Sequence, residues 1–441
     1  MSPRKRTCAA LIISAPASNQ GKTVITAGLV ALHRQRGKHV RVFKCGPDFI
    51  DPTILSHASA QPAEQLDFWM MGVDACRRRL WEAAADTDLI IIEGAMGLFD
   101  GFSPTSSIAT TFGIAVVVII NAESMAQTFQ AIARGLATAD PTITFAGVLA
   151  NKVGSPRHAN MLWQRHLSGV QFLGSVFRND SLSLPRRHLG LVQAEEIAHL
   201  QSTIDACAEM LATTSLPGLL PVTEFDEPSH SDESNGLQGK TIAIASDSAF
   251  SFIYQDNLHV LQEMGADLVF FSPLTDNSLP PADAVYLPGG YPELHMDTLS
   301  SNIAMQQSLV QFAQDGRPIY AECGGMLYLL TSLTDMHGNS ARMCGLLPGN
   351  ATVHKRFANL GYQRLRLGAA ELRGHTFHNS TAAIDLDPIA QCEDPAGNAM
   401  GEFVFQHGSL TATYMHTYFR SQPQLITRIL HGEPLLEKTT A

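Results

Sequence analysis

No window of about 18 uninterrupted apolar residues occurs in this 441-residue sequence, so no helix is expected to span a bilayer. Positive charge is also scarce: 30 Lys and Arg stand against 41 Asp and Glu, a formal charge of −11. A nucleic-acid surface needs a Lys/Arg excess over a whole face, so that class is excluded; a local anion site built from backbone amides is not. The seven cysteines are scattered and odd in number, and no pair has metal-ligand spacing. That excludes a disulfide framework and fits a reducing, cytoplasmic setting. There is no internal repeat and no long low-complexity tract. Arg4-Lys5-Arg6 precedes an apolar run, but Cys8–Ala15 is short and lacks a cleavage site with a polar start after it. The run is expected to be a first strand, not a signal peptide.

The length exceeds one ordinary core, so two domains are expected. Short apolar, β-branched runs recur at Cys8–Ser14, Val40–Phe43, Leu89–Ile92, Ala115–Ile120 and Phe145–Ala150. Helical patterns lie between them, as at Lys22–Arg36 and Met125–Thr138. Runs this apolar suit strands buried on both faces, hence a parallel sheet covered by helices, with ligands at the strands' carboxyl ends. Thr213–Gln238 breaks the pattern with three prolines and the acids Glu224, Asp226, Glu227, Asp232 and Glu233, and predicts an exposed linker. Alternation resumes at Thr241–Ala245, followed by Asp267–Phe271, Ala284–Leu287 and Pro318–Ala321. The expectation is α/β throughout: a parallel-sheet domain over 1–212, a linker over 213–238 and a second α/β domain over 239–441.

The first strand runs into Ala15-Pro16-Ala17-Ser18-Asn19-Gln20-Gly21-Lys22-Thr23 and then a long helix, the context of a phosphate-binding P-loop. Loop amides and the helix N-terminus would cradle phosphate, Lys22 would reach the β/γ-phosphates, and Thr23 would ligate Mg²⁺. Pro16 stands where the usual motif has Gly, and Asn19 is a residue that tolerates positive φ. The next strand ends carry Lys44-Cys45-Gly46-Pro47-Asp48 and Glu93-Gly94-Ala95-Met96-Gly97-Leu98-Phe99-Asp100-Gly101. Thr23, Asp48 and Glu93 make the hydroxyl-and-carboxylate set that Mg²⁺ prefers, although Asp48 alone also reads as a turn and Glu93 as a capping acid. Asn151-Lys152-Val153-Gly154 suits either adenine contact by Asn151 or a plain turn.

In the second half, Ala321-Glu322-Cys323-Gly324-Gly325 reads as a strand turning sharply into a helix at a thiol, a nucleophile elbow with Cys in place of Ser. A helix N-terminus should lower that thiol's pKa. His416 is the chosen base, with His354, His375, His378 and His407 as competitors. Gly289 and Gly290 of Leu287-Pro288-Gly289-Gly290, with Gly324, would stabilise a tetrahedral oxyanion.

These strings together resemble the cobyrinic acid a,c-diamide synthase family over nearly the whole chain, with Arg187-His188-Leu189-Gly190-Leu191-Val192 and Tyr291-Pro292-Glu293 as further matches. The first half is similar to dethiobiotin synthetase, the second to class I glutamine amidotransferases. The resemblance implies ATP and Mg²⁺ as cofactors, with glutamine and a corrin carboxylate as substrates. Asn19, Gly21, Lys22, Thr23, Lys44 and Asn151 would bind ATP, and Asp100 would act in substrate activation. A homodimer is left open. The class I triad has Glu two residues after His; here that position is Tyr418. Asp247–Asn257 is also similar to a family string whose aromatics would either flank substrate or pack a helix. Cobyric acid synthase is the nearest alternative, and a nucleotide-switch ATPase a distant one.

Overall fold

The structure is a computed structural model that describes residues 4–164, 169–182, 194–229, 235–399 and 401–436. The string Arg187–Val192 therefore lies outside the described residues. The chain divides into two compact units, Met1–His230 and Ser231–Ala441.

Unit one contains strands β1 (Lys5–Ser14), β2 (Val40–Cys45), β3 (Glu64–Leu66), β4 (Leu89–Glu93), β5 (Ala115–Asn121), β6 (Phe145–Val153), β7 (Phe172–Phe177) and β8 (Val222–Asp226). They form one sheet in the order β3-β2-β4-β1-β5-β6-β7, parallel throughout, with β8 antiparallel on the start of β1. Successive residues of β1 and β4 point to opposite faces, and Leu11, Ile12, Ile13, Ile90, Ile91 and Ile92 are all buried. That double burial is why these runs are continuously apolar. Helices Lys22–Gln35 and Leu200–Ala212 cover one face through Ile25, Leu29, Ile204 and Leu211. The linker expected over 213–238 needs correction. Thr223 and Phe225 of β8 turn inward and pair with β1, so alternation hidden among acidic residues makes a strand there.

Unit two contains β9 (Thr241–Ala245), β10 (Asp267–Phe271), β11 (Ala284–Leu287), β12 (Ile319–Glu322), β13 (Ser332–Thr334), β14 (Ser340–Arg342), β15 (Gly349–Val353), β16 (Asn359–Leu367), β17 (Ala370–His378), β18 (Ser380–Ile384), β19 (Ala390–Gln391), β20 (Phe403–His407), β21 (Leu410–Thr413) and β22 (His416–Thr417). The main sheet runs β10-β9-β11-β12-β21-β20-β19, parallel from β10 to β21 and antiparallel at the β20 and β19 edge. Two small sheets, β14-β13-β15-β18 and β16-β17-β22, complete the unit.

Register decides what each sheet delivers. In unit one Ile13, Lys44 and Glu93 lie side by side across β1, β2 and β4. In unit two Leu287 pairs with Ala321, and Glu322 with Thr413, so the segments after β11, β12 and β21 leave from one edge.

Two helical glycines test the packing. A Cβ on Gly28 would meet Cys207 Sγ at 2.6 Å and Cys207 Cβ at 2.8 Å, whereas a Cβ on the exposed Gly135 meets nothing within 4 Å. Gly135→Ala should stabilise unit one by about 1 kcal/mol through helix propensity. Gly28→Ala should instead destabilise it by about 1–2 kcal/mol through overpacking. Urea midpoints of the two variants should move in opposite directions.

Candidate functional site

In unit one the β1–helix loop holds Asn19 at φ 62° and Gly21 at φ 89°, the left-handed backbone that curls a phosphate loop. A side chain on Gly21 would strike Asn151 Nδ2. Asn151 Nδ2 donates to Gln20 O (2.9 Å), and its Oδ1 accepts from Lys152 N–H (2.9 Å), so in this structure Asn151 buttresses the loop. Lys22 Nζ donates to Met96 O (2.5 Å) and Ala17 O (3.3 Å), bridging the loop to the segment after β4. Burial, and then Lys44, lower its pKa. Asp100 Oδ2 accepts from Gly97 N–H (3.0 Å) and shapes that same segment.

Beside the loop, Lys44 Nζ contacts Asp51 (2.6 Å), Glu93 (2.9 Å) and Asp48 (3.5 Å), while Thr23 Oγ1 donates to Glu93 Oε1 (2.9 Å). Burial opposes charge on Lys44, but the three carboxylates outweigh it and hold the ammonium well above its ordinary pKa. Burial and the neighbouring Asp51 push Asp48 up to about 7; against its own burial, Asp51 is pulled down to about 2, chiefly by Lys44. Burial raises Glu93 too. Asp51 went unnoticed in the sequence, where its i, i+3 spacing from Asp48 was the available signal. Among the described residues no group of three His, Cys, Asp or Glu is disposed to hold a metal ion alone. The mixed set of Thr23, Asp48 and Glu93 fits Mg²⁺ better, because Glu93 Oε2 is buried and accepts no hydrogen bond.

In unit two Cys323 stands at φ 43°, ψ −110° between β12 and the helix Gly324–Leu329, a strained turn characteristic of an elbow. Its N–H is tied to Thr413 O at 2.8 Å. Glycines close around it. A Cβ on Gly289 would collide with His416 Cε1 and lie 3.4 Å from Cys323 Cβ; one on Gly324 would sit 2.9 Å from Gly290 N. Gly289 thus sits against both the thiol residue and His416, and the amides of Gly290 and Gly324 are neighbours. That is the layout an acyl-transfer site requires: nucleophile, imidazole and paired N–H donors.

Protein-family models match a stretch of each unit. The CobQ/CobB/MinD/ParA nucleotide binding domain matches residues 11–192, and the CobB/CobQ-like glutamine amidotransferase domain matches 241–424. The hydrogenobyrinate a,c-diamide synthase of Stutzerimonas stutzeri is 49% identical over 96% of this chain and 99% of its own. That of Pseudomonas aeruginosa is 49% identical over 96% and 97%, and the cobyrinate a,c-diamide synthase of Herminiimonas arsenicoxydans 44% over 96% and 97%. The chain belongs to the a,c-diamide synthase family. Its two domains are those of a glutamine-dependent, ATP-using amidoligase.

Within this a,c-diamide synthase fold, what orients His416 is not a carboxylate two residues on. Tyr418 is fully buried and packs on Tyr254 (5.1 Å). The His416 ring is stacked on His375 (5.1 Å, 23°), its register partner across β22 and β17, and Phe252 lies 5.9 Å away. His375 Nδ1 is in turn bonded to Tyr254 OH (2.8 Å). The string Asp247–Asn257 therefore builds the cage of His416: Phe252 and Tyr254 are buried, and Asn257 clamps Thr417 O and Phe419 N–H at 2.9 Å. Of the competing histidines, His354 and His407 are exposed, and His378 is paired with Glu402 (2.9 Å) and stacked on Tyr414.

Glu322 also went unnoticed in the sequence. Its Oε1 accepts from Thr417 N–H (3.0 Å) and Oγ1, and its Oε2 from Tyr286 OH (2.9 Å). The residue before the thiol is thus bonded to the residue after the imidazole.

The expected lowering of the thiol pKa is reversed. Burial, then Glu293, push Cys323 far up, and the Gly324 N–H opposes them only in part. Desolvation at this fully enclosed position is the largest effect on the thiol. Burial, then His375 and His378, push His416 far down. Burial thus disfavours the charged form of both the thiol and the imidazole.

Burial raises Glu322 to about 7, above the ordinary 4.5. The folded chain then holds a proton that the unfolded chain has released. This group's stabilisation is full below pH 4.5 and is lost as pH rises through 7, by roughly 3 kcal/mol. Glu322→Gln cannot titrate. In urea titrations the variant should gain on the wild type by that amount between about pH 4.5 and 8; a constant difference would refute the assignment.

Proposed function

We propose that this chain converts the a and c carboxylates of a corrin acid, hydrogenobyrinic or cobyrinic, into carboxamides, with glutamine supplying nitrogen and ATP the driving force. The observation that carries this is identity of 49% over 96% of the chain to enzymes named for that product. The nucleotide chemistry falls to 1–212 and the glutamine chemistry to 239–441. The reaction belongs in the cytoplasm, where glutamine and ATP are supplied and Cys323 stays reduced.

At the first site Lys22 leaves its two carbonyls for the β/γ-phosphates, and Lys44 lends positive charge beside them. Thr23, Asp48 and Glu93 would hold Mg²⁺, which neutralises phosphate charge when bound. A substrate carboxylate oxygen attacks the γ-phosphorus in line, its bond to ADP breaks, and an acyl phosphate results. At the second site Cys323 Sγ attacks the glutamine carboxamide carbon as its proton passes to His416. The oxyanion takes hydrogen bonds from the Gly290 and Gly324 amides. Collapse returns the proton to the leaving nitrogen, giving ammonia and a thioester that water cleaves to glutamate. Ammonia attacks the acyl phosphate, phosphate leaves, and the amide forms. Ammonia in bulk water near neutral pH is mostly protonated, so this last step needs a water-poor setting.

Incubation of each corrin acid with ATP, Mg²⁺ and glutamine should give two successive products, each replacing one hydroxyl by an amino group in mass spectra. Cobyric acid synthase chemistry would instead consume the a,c-diamide, so that compound is the companion substrate. Cys323→Ala should lose glutamine-dependent synthesis by about a thousandfold or more yet keep synthesis from ammonia. Asp48→Asn and Glu93→Gln should abolish synthesis from either nitrogen source while retaining glutamine hydrolysis. Loss of ammonia-dependent synthesis in Cys323→Ala would rule out a thiol that serves only to free nitrogen from glutamine.

A further inference from the structure

The segment after β4 exposes apolar side chains beside the phosphate loop. Met96 is 47% exposed, Phe99 38% and Phe102 61%. The segment is held from several sides. Lys22 donates to Met96 O, Leu98 N–H to Ala15 O (2.8 Å), Asp100 bonds Gly97 N–H, and Ser103 Oγ accepts from Phe68 N–H (3.2 Å). Leu98, between the exposed residues, is buried and anchors it. Met96 adopts φ 46°, a cost the surroundings must impose. Gly101 leaves room for its side chain, since a Cβ there would lie 2.5 Å from Met96 Cε. Phe102 stands edge-on to Trp69 at 5.4 Å. Three large apolar groups held outward on one short segment form a patch that water disfavours and a ligand would cover.

We propose that Met96, Phe99 and Phe102 form a shelf for the apolar face of the macrocycle whose carboxylate is phosphorylated. This rests on the function proposed above and names the part of the chain that holds the body of the substrate. Reach is the deciding constraint. Met96 O is bonded to the lysine of the phosphate loop, so the shelf starts next to where the γ-phosphate must lie. An acid attacking that phosphorus has to bring its own framework over the bordering surface. That border carries Met96, Phe99 and Phe102 with one exposed acid, Asp100, whereas Asp48, Asp51 and Glu93 are gathered on Lys44. A macrocycle whose acids are carried on peripheral chains can rest its apolar framework on the aromatics and present one carboxylate inward. A protein partner on the same patch would bar the acid from the phosphate, so it is the occupant the position argues against.

The test compares Phe102→Ser and Phe99→Ser with wild type and with Phe270→Ser, an aromatic 53% exposed in unit two. Loss of one apolar contact should raise KM for the corrin acid about tenfold while kcat stays within about twofold. KM for ATP, KM for glutamine and glutamine hydrolysis should not move, and Phe270→Ser should match wild type. Binding of the corrin acid without ATP, followed by quenching of protein fluorescence, should weaken by the same factor. An unchanged corrin KM in both shelf variants overturns the proposal, as does an equal rise in KM for ATP. A change of oligomeric state in the variants, seen by sedimentation, would make the patch a subunit interface and overturn it too. Wild-type protein that binds the acid through these residues but does not amidate it would leave the shelf standing and remove the proposed function. Wild-type protein that neither binds nor amidates it removes both.

Discussion

The bond from Glu322 to Thr417 ties together two chain segments 95 residues apart, one step before the thiol and one step after the imidazole. Cys323 and His416 leave different strands, and neither carries a direct covalent or local constraint on the other. A carboxylate buried between β12 and β22, also accepting from Tyr286 OH, bridges the two segments, and the backbone bond from Cys323 N–H to Thr413 O (2.8 Å) joins the ends of β12 and β21 directly. Tyr320 OH, bonded to Thr417 Oγ1 (2.9 Å), closes the same ring of contacts. Burial of the carboxylate costs enough to raise its pKa to about 7, so the tie is retained against a penalty. This is how the fold manages with Tyr418 where other glutamine amidotransferases orient their histidine by a carboxylate. Orientation comes from the backbone tie, from the stacked His375 and from the Asn257 clamp.

Unit one meets a related difficulty with the opposite solution. Asp48, Asp51 and Glu93 crowd together, and their mutual repulsion is relieved by one buried lysine. Lys44 arrives there because its strand runs in register with β4, opposite Glu93. With the carboxylates already partly neutralised, Thr23 and the unshared oxygen of Glu93 stay available without unfolding the site. The arrangement keeps acidic groups beside a polyphosphate, which they would otherwise repel.

Much of this was legible because parallel strands buried on both faces must be apolar throughout. The runs at Cys8–Ser14, Leu89–Ile92 and Ala284–Leu287 could hardly have been anything else, and their ends carried Lys22, Glu93 and the Gly289-Gly290 turn. β8 was hidden because only Thr223 and Phe225 face inward amid acids, a half-exposed edge whose pattern resembles a linker. β13 to β20 were missed for a similar reason: they form small sheets or the edge of the main one, and their strands, including the nine-residue β16 and β17, are only partly buried and are specified by their partners. Glu322 escaped notice because its importance lies in a contact across 95 residues. The Asp247–Asn257 string was visible as a string, but only the packing shows that its rings line His416 instead of lying open to a ligand.

The thiol's protonation state is the place where local reasoning failed outright. A helix N-terminus lowers a cysteine pKa when the site is wet enough for the dipole to be the larger effect. Here the glycines let Leu287, Gly290 and Ala249 press so closely around the elbow that desolvation wins, and three carboxylates nearby add to it. An ion pair of thiolate and imidazolium would require the cysteine pKa to fall below that of the histidine, and burial moves the two apart. Burial thus opposes such a pair in the resting site. In the proposed mechanism charge develops on the oxygen of an entering carboxamide, where the Gly290 and Gly324 amides would stabilise it. Close packing by glycine thus has two consequences at once: it brings the Gly290 and Gly324 amides together, and it raises the desolvation cost of charge on the thiol.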